Sequence, residues 1–214
     1  SNAYDGLTSV EAGTLRLSPL AADNVVLHLD ASDISTLFEN ADGTGAITAH
    51  GKRVGYWGDK SRSDKPATQS NSSRRPTYVT NAAGFNGLPV LEFDGTDDHI
   101  TSLLDINPSN LPDMTIIIVY KQLPESGNGG LWGHDNGGWD RMQLFYNGGV
   151  YYQIATDSTA ATVNGMAPER VTVYTAVLRN GVANGSYVYI DGVSDATHGL
   201  RGFTSSDRGG LASL

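Results

Sequence analysis

Three carboxylates fall close together in this chain, at Asp94, Asp97 and Asp98, within the stretch Leu88–Ile100 (LPVLEFDGTDDHI). Acidic groups this near repel one another unless water, hydrogen bonds or a shared cation offsets the repulsion. Calcium suits such a set, because it takes about 6–8 oxygens from carboxylates, carbonyls and water. The alternative use is a tight turn in which Asp94 and Asp97 accept backbone N–H bonds. Asp30 and Asp33 admit the same two readings, with Asp33 also placed to cap a helix. Nothing in the chain has the spacing of an EF-hand loop.

A second cluster lies in LWGHDNGGWDR, residues 131 to 141. Trp132, His134, Asp135, Asn136, Trp139, Asp140 and Arg141 share a glycine-rich loop there. Flat aromatic faces stack on the C–H-rich faces of sugar rings, while amide and carboxylate groups take pairs of hydroxyls. These residues are the candidate ligand site. The structural reading puts one Trp in the core and pairs Asp140 with Arg141. Other chemistries find little footing. There is no G-x-S-x-G nucleophile elbow and no H-E-x-x-H zinc motif. The histidines, at 28, 50, 99, 134 and 198, are scattered.

Both clusters hang on alternating strands. Val90, Glu92 and Asp94 alternate with Leu91 and Phe93, the period-2 pattern of a half-buried strand, and Asp94-Gly95 ends it. Val25–Asp30, Arg53–Asp59, Pro76–Thr80, Thr101–Leu104, Arg141–Tyr146, Val150–Ala155, Val171–Arg179 and Ser186–Ile190 read as further strands. Asn147-Gly148 is a strong two-residue hairpin signal. Met114–Lys121 (MTIIIVYK) is nearly all apolar and reads as a central strand covered on both faces. Asp33–Glu39 reads as a short helix or turn. Residues 61 to 75 read as a polar loop, and the basic cluster Lys60, Arg62, Lys65, Arg74 and Arg75 reads as solvated.

The whole is 214 residues with 26 glycines, no cysteine and a net charge of −9. That length suits one all-β domain, since sandwiches of about 200–250 residues form single domains. The acidic balance excludes phosphate-backbone binding, so no nucleic-acid partner is expected. Zero cysteine excludes a disulfide scaffold, a thiolate metal site and a cysteine nucleophile. No apolar run reaches the roughly 18 residues of a membrane span, so no membrane insertion is expected. Ser1-Asn2-Ala3 matches the remnant left by tag removal, so a missing leader carries no information.

LHLDASD (Leu27–Asp33), YWGDKSRSDKPATQ (Tyr56–Gln69), NGLPVLEFDGTDDHI (Asn86–Ile100) and YVYIDG (Tyr187–Gly192) occur in an order that resembles the laminin-G-like domains of the concanavalin A-like lectin/glucanase superfamily. The resemblance implies a two-sheet antiparallel jelly-roll sandwich spanning residues 25–214, after an extension over 4–24. It implies a calcium site on the rim at Asp94, Asp97 and Asp98, since many such domains bind calcium. Bacterial members are usually modules of large secreted, cell-surface or phage-associated proteins, so an extracellular or surface location is implied. Members usually continue into a closing strand beyond the point matched by Leu211–Leu214. A domain lacking that strand would leave its first strand with an unpaired edge, open to self-association or a partner chain.

Laminarinase-like glycosidases of the superfamily carry E-x-D-x-x-E. Here Glu92-Phe93-Asp94-Gly95-Thr96-Asp97 puts Asp where the second Glu belongs. Retaining chemistry needs two carboxyls about 5–5.5 Å apart on a fixed frame, and Gly95 ends the strand before position 97. The expectation is therefore a non-catalytic module, not an enzyme, binding a glycan or surface polysaccharide with calcium assisting. The alternative is a structural or protein-interaction module, an adhesin or spacer; a glycoside hydrolase ranks third.

Overall fold

The computed structural model describes residues 8–11, 14–17, 24–107, 109–122, 129–134, 142–146, 149–156, 159–163, 169–179, 182, 186–194 and 211–214. Among these residues there is no α-helix, and the strand pairings described below are all antiparallel. No helix of the described residues is long and apolar enough to cross a membrane. The chain divides into two compact units, residues 1–93 and 94–214. The boundary falls inside the Leu88–Ile100 stretch.

The first unit is built from short strands. β1 (Thr8–Glu11) and β2 (Thr14–Leu17) form a hairpin. β3 (Leu37–Phe38), β4 (Tyr56–Trp57) and β5 (Ala67–Thr68) make a second ladder, and β6 (Thr77–Val79) pairs with β7 (Val90–Glu92). Leu37, Ile47, Val54 and Tyr78 form its core, with Trp57 and Leu91 packed against them. Arg75 ties the surrounding loops together. Its guanidinium donates to the carbonyls of Glu39 (2.8 Å), Gln69 (2.9 Å) and Ser70 (2.9 Å). Gly55 passes so close to Arg75 that a Cβ there would stand 2.9 Å from its Nε and would collide with the Glu39 carbonyl. Only glycine fits this approach.

Three differences from the sequence reading have local causes. Val25–Asp30 is irregular rather than a strand, because its polar groups are claimed elsewhere. His28 N–H donates to the Asp59 carboxylate, and the His28 carbonyl accepts from Lys60 N–H, each at 2.8 Å. Arg53–Asp59 shortens to β4, preceded by a lone bridge from Arg53 to Thr77. The polar stretch 61–75 contains β5 and a 3-10 turn at Ser72–Arg74, in which Ser73 N–H donates to the Asn71 side chain.

The second unit is a two-sheet sandwich. Its strands are β8 (Thr101–Asp105), β9 (Asp113–Lys121), β10 (Gly129–Gly133), β11 (Met142–Tyr146), β12 (Gly149–Thr156), β13 (Thr159–Val163), β14 (Val171–Arg179), β15 (Tyr187–Ile190), β16 (Val193–Ser194) and β17 (Leu211–Ser213). One sheet runs β13-β12-β11-β10-β17-β8 within this unit, and the other β16-β15-β14-β9. Tyr146 pairs with Gly149, so only Asn147-Gly148 separates β11 from β12, as the hairpin signal predicts. Ile106, Trp132, Tyr174, Ala176, Leu178 and Val188 form the shared core, drawn from both sheets. β14 alternates strictly, with Thr172, Tyr174, Ala176 and Leu178 buried and the residues between them half-buried.

Two strands occupy places the sequence does not reveal. Leu211–Ser213 does not merely begin a closing strand; it is β17, seated between β8 and β10. Leu214 and Ile100 extend that pairing by exchanging both backbone hydrogen bonds at 2.9 Å. β9, expected to be central, has β14 as its one partner among the described residues. Its apolar run reflects a core face (Met114, Ile116, Ile118, Tyr120) interleaved with an outward face on which Val119 is 46% exposed.

Candidate functional site

The acidic turn connects the end of β7 to the start of β8. The strand stops at Glu92, so neither Asp94 nor Asp97 shares its frame. Gly95 takes φ +70°, in the left-handed region where glycine costs least. Asp94 organises the turn: its Oδ1 accepts from the backbone N–H groups of Thr96 (2.9 Å), Asp97 (3.2 Å) and Asp98 (3.1 Å). Asp98 Oδ2 in return accepts from Asp94 N–H at 3.2 Å. One carboxylate oxygen from each of Asp94, Asp97 and Asp98 lies within 4.8 Å of the others. Two oxygens on one calcium ion stand at most about 5 Å apart, given bonds of 2.3–2.6 Å. The donor set therefore fits calcium in type and spacing, with carbonyls and water needed to complete it.

The aromatic cluster divides. Trp132 is 5% exposed and belongs to the core of the sandwich, so its ring faces are covered by protein. Its indole N–H is buried without a hydrogen-bond partner. His134 follows β10 and is half-buried. Asp135, Asn136, Trp139, Asp140 and Arg141 lie outside the described residues.

Strand directions relate the acidic turn to the end of β10. β8 and β10 both pair antiparallel with β17 and so run parallel to each other. Thr101, Ser213 and Gly133 share one row. The acidic turn enters at the start of β8, whereas His134 leaves from the end of β10, in the opposite direction along the sheet.

A feature the cluster search overlooks is the outward face of the β16-β15-β14-β9 sheet. Cross-strand register sets Tyr189 beside Thr175 and Ile117, and Tyr187 beside Val177 and Thr115. Val173 lies beside Val119. Tyr187 is 40% exposed, and its neighbours on this face are exposed or half-buried. The two tyrosines stand two residues apart on one strand, the spacing that puts both on one face. That spacing is written in YVYI and is the signal that could have found them.

In the first unit, Asp30, Asp33, Asp59 and Lys60 form a charged network. Lys60 Nζ contacts Asp33 Oδ2 at 2.8 Å and Asp30 Oδ2 at 3.0 Å. Asp33 precedes the 3-10 turn Ile34–Thr36 but makes no side-chain cap; its Oδ1 instead accepts from the Ser35 hydroxyl. Asp59 accepts from the backbone N–H groups of His28, Ser61 and Lys65 and from the Ser61 hydroxyl. Burial pushes the Asp59 carboxyl up, but those N–H donors outweigh it and hold it below the ordinary carboxylate value. Asp30 follows the same balance, with Ser32 and Lys60 opposing burial. Hydrogen bonding to Lys60 lowers Asp33, and hydrogen bonding to Asp33 raises Lys60. These groups satisfy one another and fasten residues 28–33 to 59–65. Compared with family models, curated proteins and solved structures, the chain matches none.

Proposed function

We propose that this chain is a non-catalytic, carbohydrate-binding jelly-roll module of a larger secreted or surface protein. In this reading the sugar lies against the outward face of the four-stranded sheet, with Tyr187 as its stacking platform. The observation that carries it is a solvent-open tyrosine beside a second tyrosine on a face that also carries Thr115, Ile117, Val119, Val173, Thr175 and Val177. Aromatic faces bury the apolar side of a pyranose, and hydroxyls and loop amides take its polar edge. In this proposal the residues of the 134–141 loop, Trp139 foremost, are further candidates for polar and aromatic contacts. Calcium at Asp94, Asp97 and Asp98 would assist by fixing the turn that leads into β8, not by touching the sugar.

The protein-interaction reading draws on the same open face, whose Val119 and Val177 suit an apolar partner equally well. Hydrolysis is disfavoured because β7 ends at Glu92 and leaves Asp97 in a turn. Calorimetric titration with a bound glycan separates the readings. Tyr187→Ala is expected to weaken binding about tenfold, the loss of one stacking contact worth ~1.4 kcal/mol. Undiminished binding in both Tyr187→Ala and Trp139→Ala would remove the site.

A further inference from the structure

We propose that β9 is a self-association edge, at which two copies of this chain pair β9 against β9 in antiparallel fashion with Ile117 on the two-fold axis. The proposal does not rest on the sugar reading. β9 is nine residues long, and among the described residues its ladder is filled on one side, by β14. A long edge of this kind offers a row of backbone donors and acceptors to another strand.

The sequence of β9 is self-complementary in that one register. Centring the pair on Ile117 sets Asp113 opposite the partner's Lys121, and Lys121 opposite the partner's Asp113. Both symmetric ends therefore match acid with base across the two strands. Shifting the register by two residues loses both pairs. The register also joins residues of equal parity, so outward-pointing backbone groups meet outward-pointing ones. On the core side, Met114 meets the partner's Tyr120 and Ile116 meets the partner's Ile118. All four side chains are only partly buried at the margin of the sandwich core, and a second copy would extend that core past the edge. On the outward side, exposed Thr115 meets the partner's Val119, which is 46% exposed in the single chain. An isologous two-fold pairing closes on itself and yields a dimer rather than a fibre.

Sedimentation velocity over a concentration series tests this directly. The wild-type chain is expected to form a reversible dimer. Asp113→Lys and Lys121→Asp are each expected to weaken it at least about tenfold, because two attractive pairs become repulsive at once. An equimolar mixture of the two variants is expected to dimerise again, since each copy then offers the charge the other lacks. Circular dichroism melts show that the chains remain folded: Lys121→Asp is expected to match wild type, and Asp113→Lys to melt slightly lower because it sets a lysine opposite Arg179. A wild-type monomer at every concentration up to roughly 1 mM would overturn the proposal. So would a dimer indifferent to both variants, or a mixture that stays monomeric.

Discussion

Asp59 shows how much structure one side chain can hold in a unit with a small core. Its carboxylate accepts from three backbone N–H groups and one hydroxyl, and two of those donors are far away in sequence or across a loop. Asp59→Asn removes the charge and half of the acceptor capacity, and urea melts are expected to show a loss of about 2 kcal/mol. The sign of the pH effect follows from the shifts. The folded values of Asp30, Asp33 and Asp59 lie below their unfolded ones, so their stabilisation is full above the ordinary carboxylate value. It is lost as pH falls below about 4. Lys60 is raised, so its share is full below its ordinary value and is lost only above about pH 10. In Asp59→Asn the acid limb of a stability profile is expected to flatten. Trp132 makes the opposite case. Its spacing from Trp139 suggested a paired sugar platform, yet it packs with Tyr174 and Val188. Trp132→Ala should cost about 4 kcal/mol by leaving a cavity, whereas Trp132→Phe should fold and leave glycan titration unchanged.

At the scale of elements, what is legible depends on whether a pattern is local. The Asn147-Gly148 hairpin and the strand over Val171–Arg179 both read correctly, because adjacent residues decide them. The Asp94 turn reads correctly in part for the same reason: the Asp94 side chain closes it from within five residues, with Asp98, which the sequence reading did not name for the turn, accepting from Asp94 N–H in return. Strand order is not local. Nothing in MTIIIVYK distinguishes a buried central strand from an edge strand with one core face, and nothing in Leu211–Leu214 announces an insertion between β8 and β10. Val25–Asp30 alternates like a strand but is held by Asp59, a partner about thirty residues away. The acidic turn also carries a prediction at this scale. Calcium bound only by the folded chain stabilises it by mass action, about 2.7 kcal/mol at a hundredfold excess over Kd. The melting temperature is expected to rise by several degrees in calcium. Asp97→Asn and Asp98→Asn should abolish the rise. Asp94→Asn should keep the turn, because its amide oxygen still accepts the same N–H groups. A melt unmoved by calcium in the wild type would remove the ion from the account.

For the molecule as a whole, the sheet topology rearranges the two clusters that the sequence places closest to chemistry. The acidic turn leads into β8 and Trp132 packs in the sandwich core, so the proposal gives ion and sugar different places. The proposed stacking residue is Tyr187 rather than the buried Trp132, and its only signature is its alternation with Val188 in a strand. A net charge of −9 suits neutral or cationic glycans better than polyanionic ones. A glycan array probed in calcium, in EDTA and with Tyr187→Ala tests the central claim most directly. Wild-type chain is expected to retain a defined set of glycans in calcium and in EDTA alike, at temperatures where the unit stays folded, and Tyr187→Ala is expected to lose them while melting as wild type does. Retention of no glycan by the folded wild-type chain, or retention undiminished in Tyr187→Ala, would contradict it.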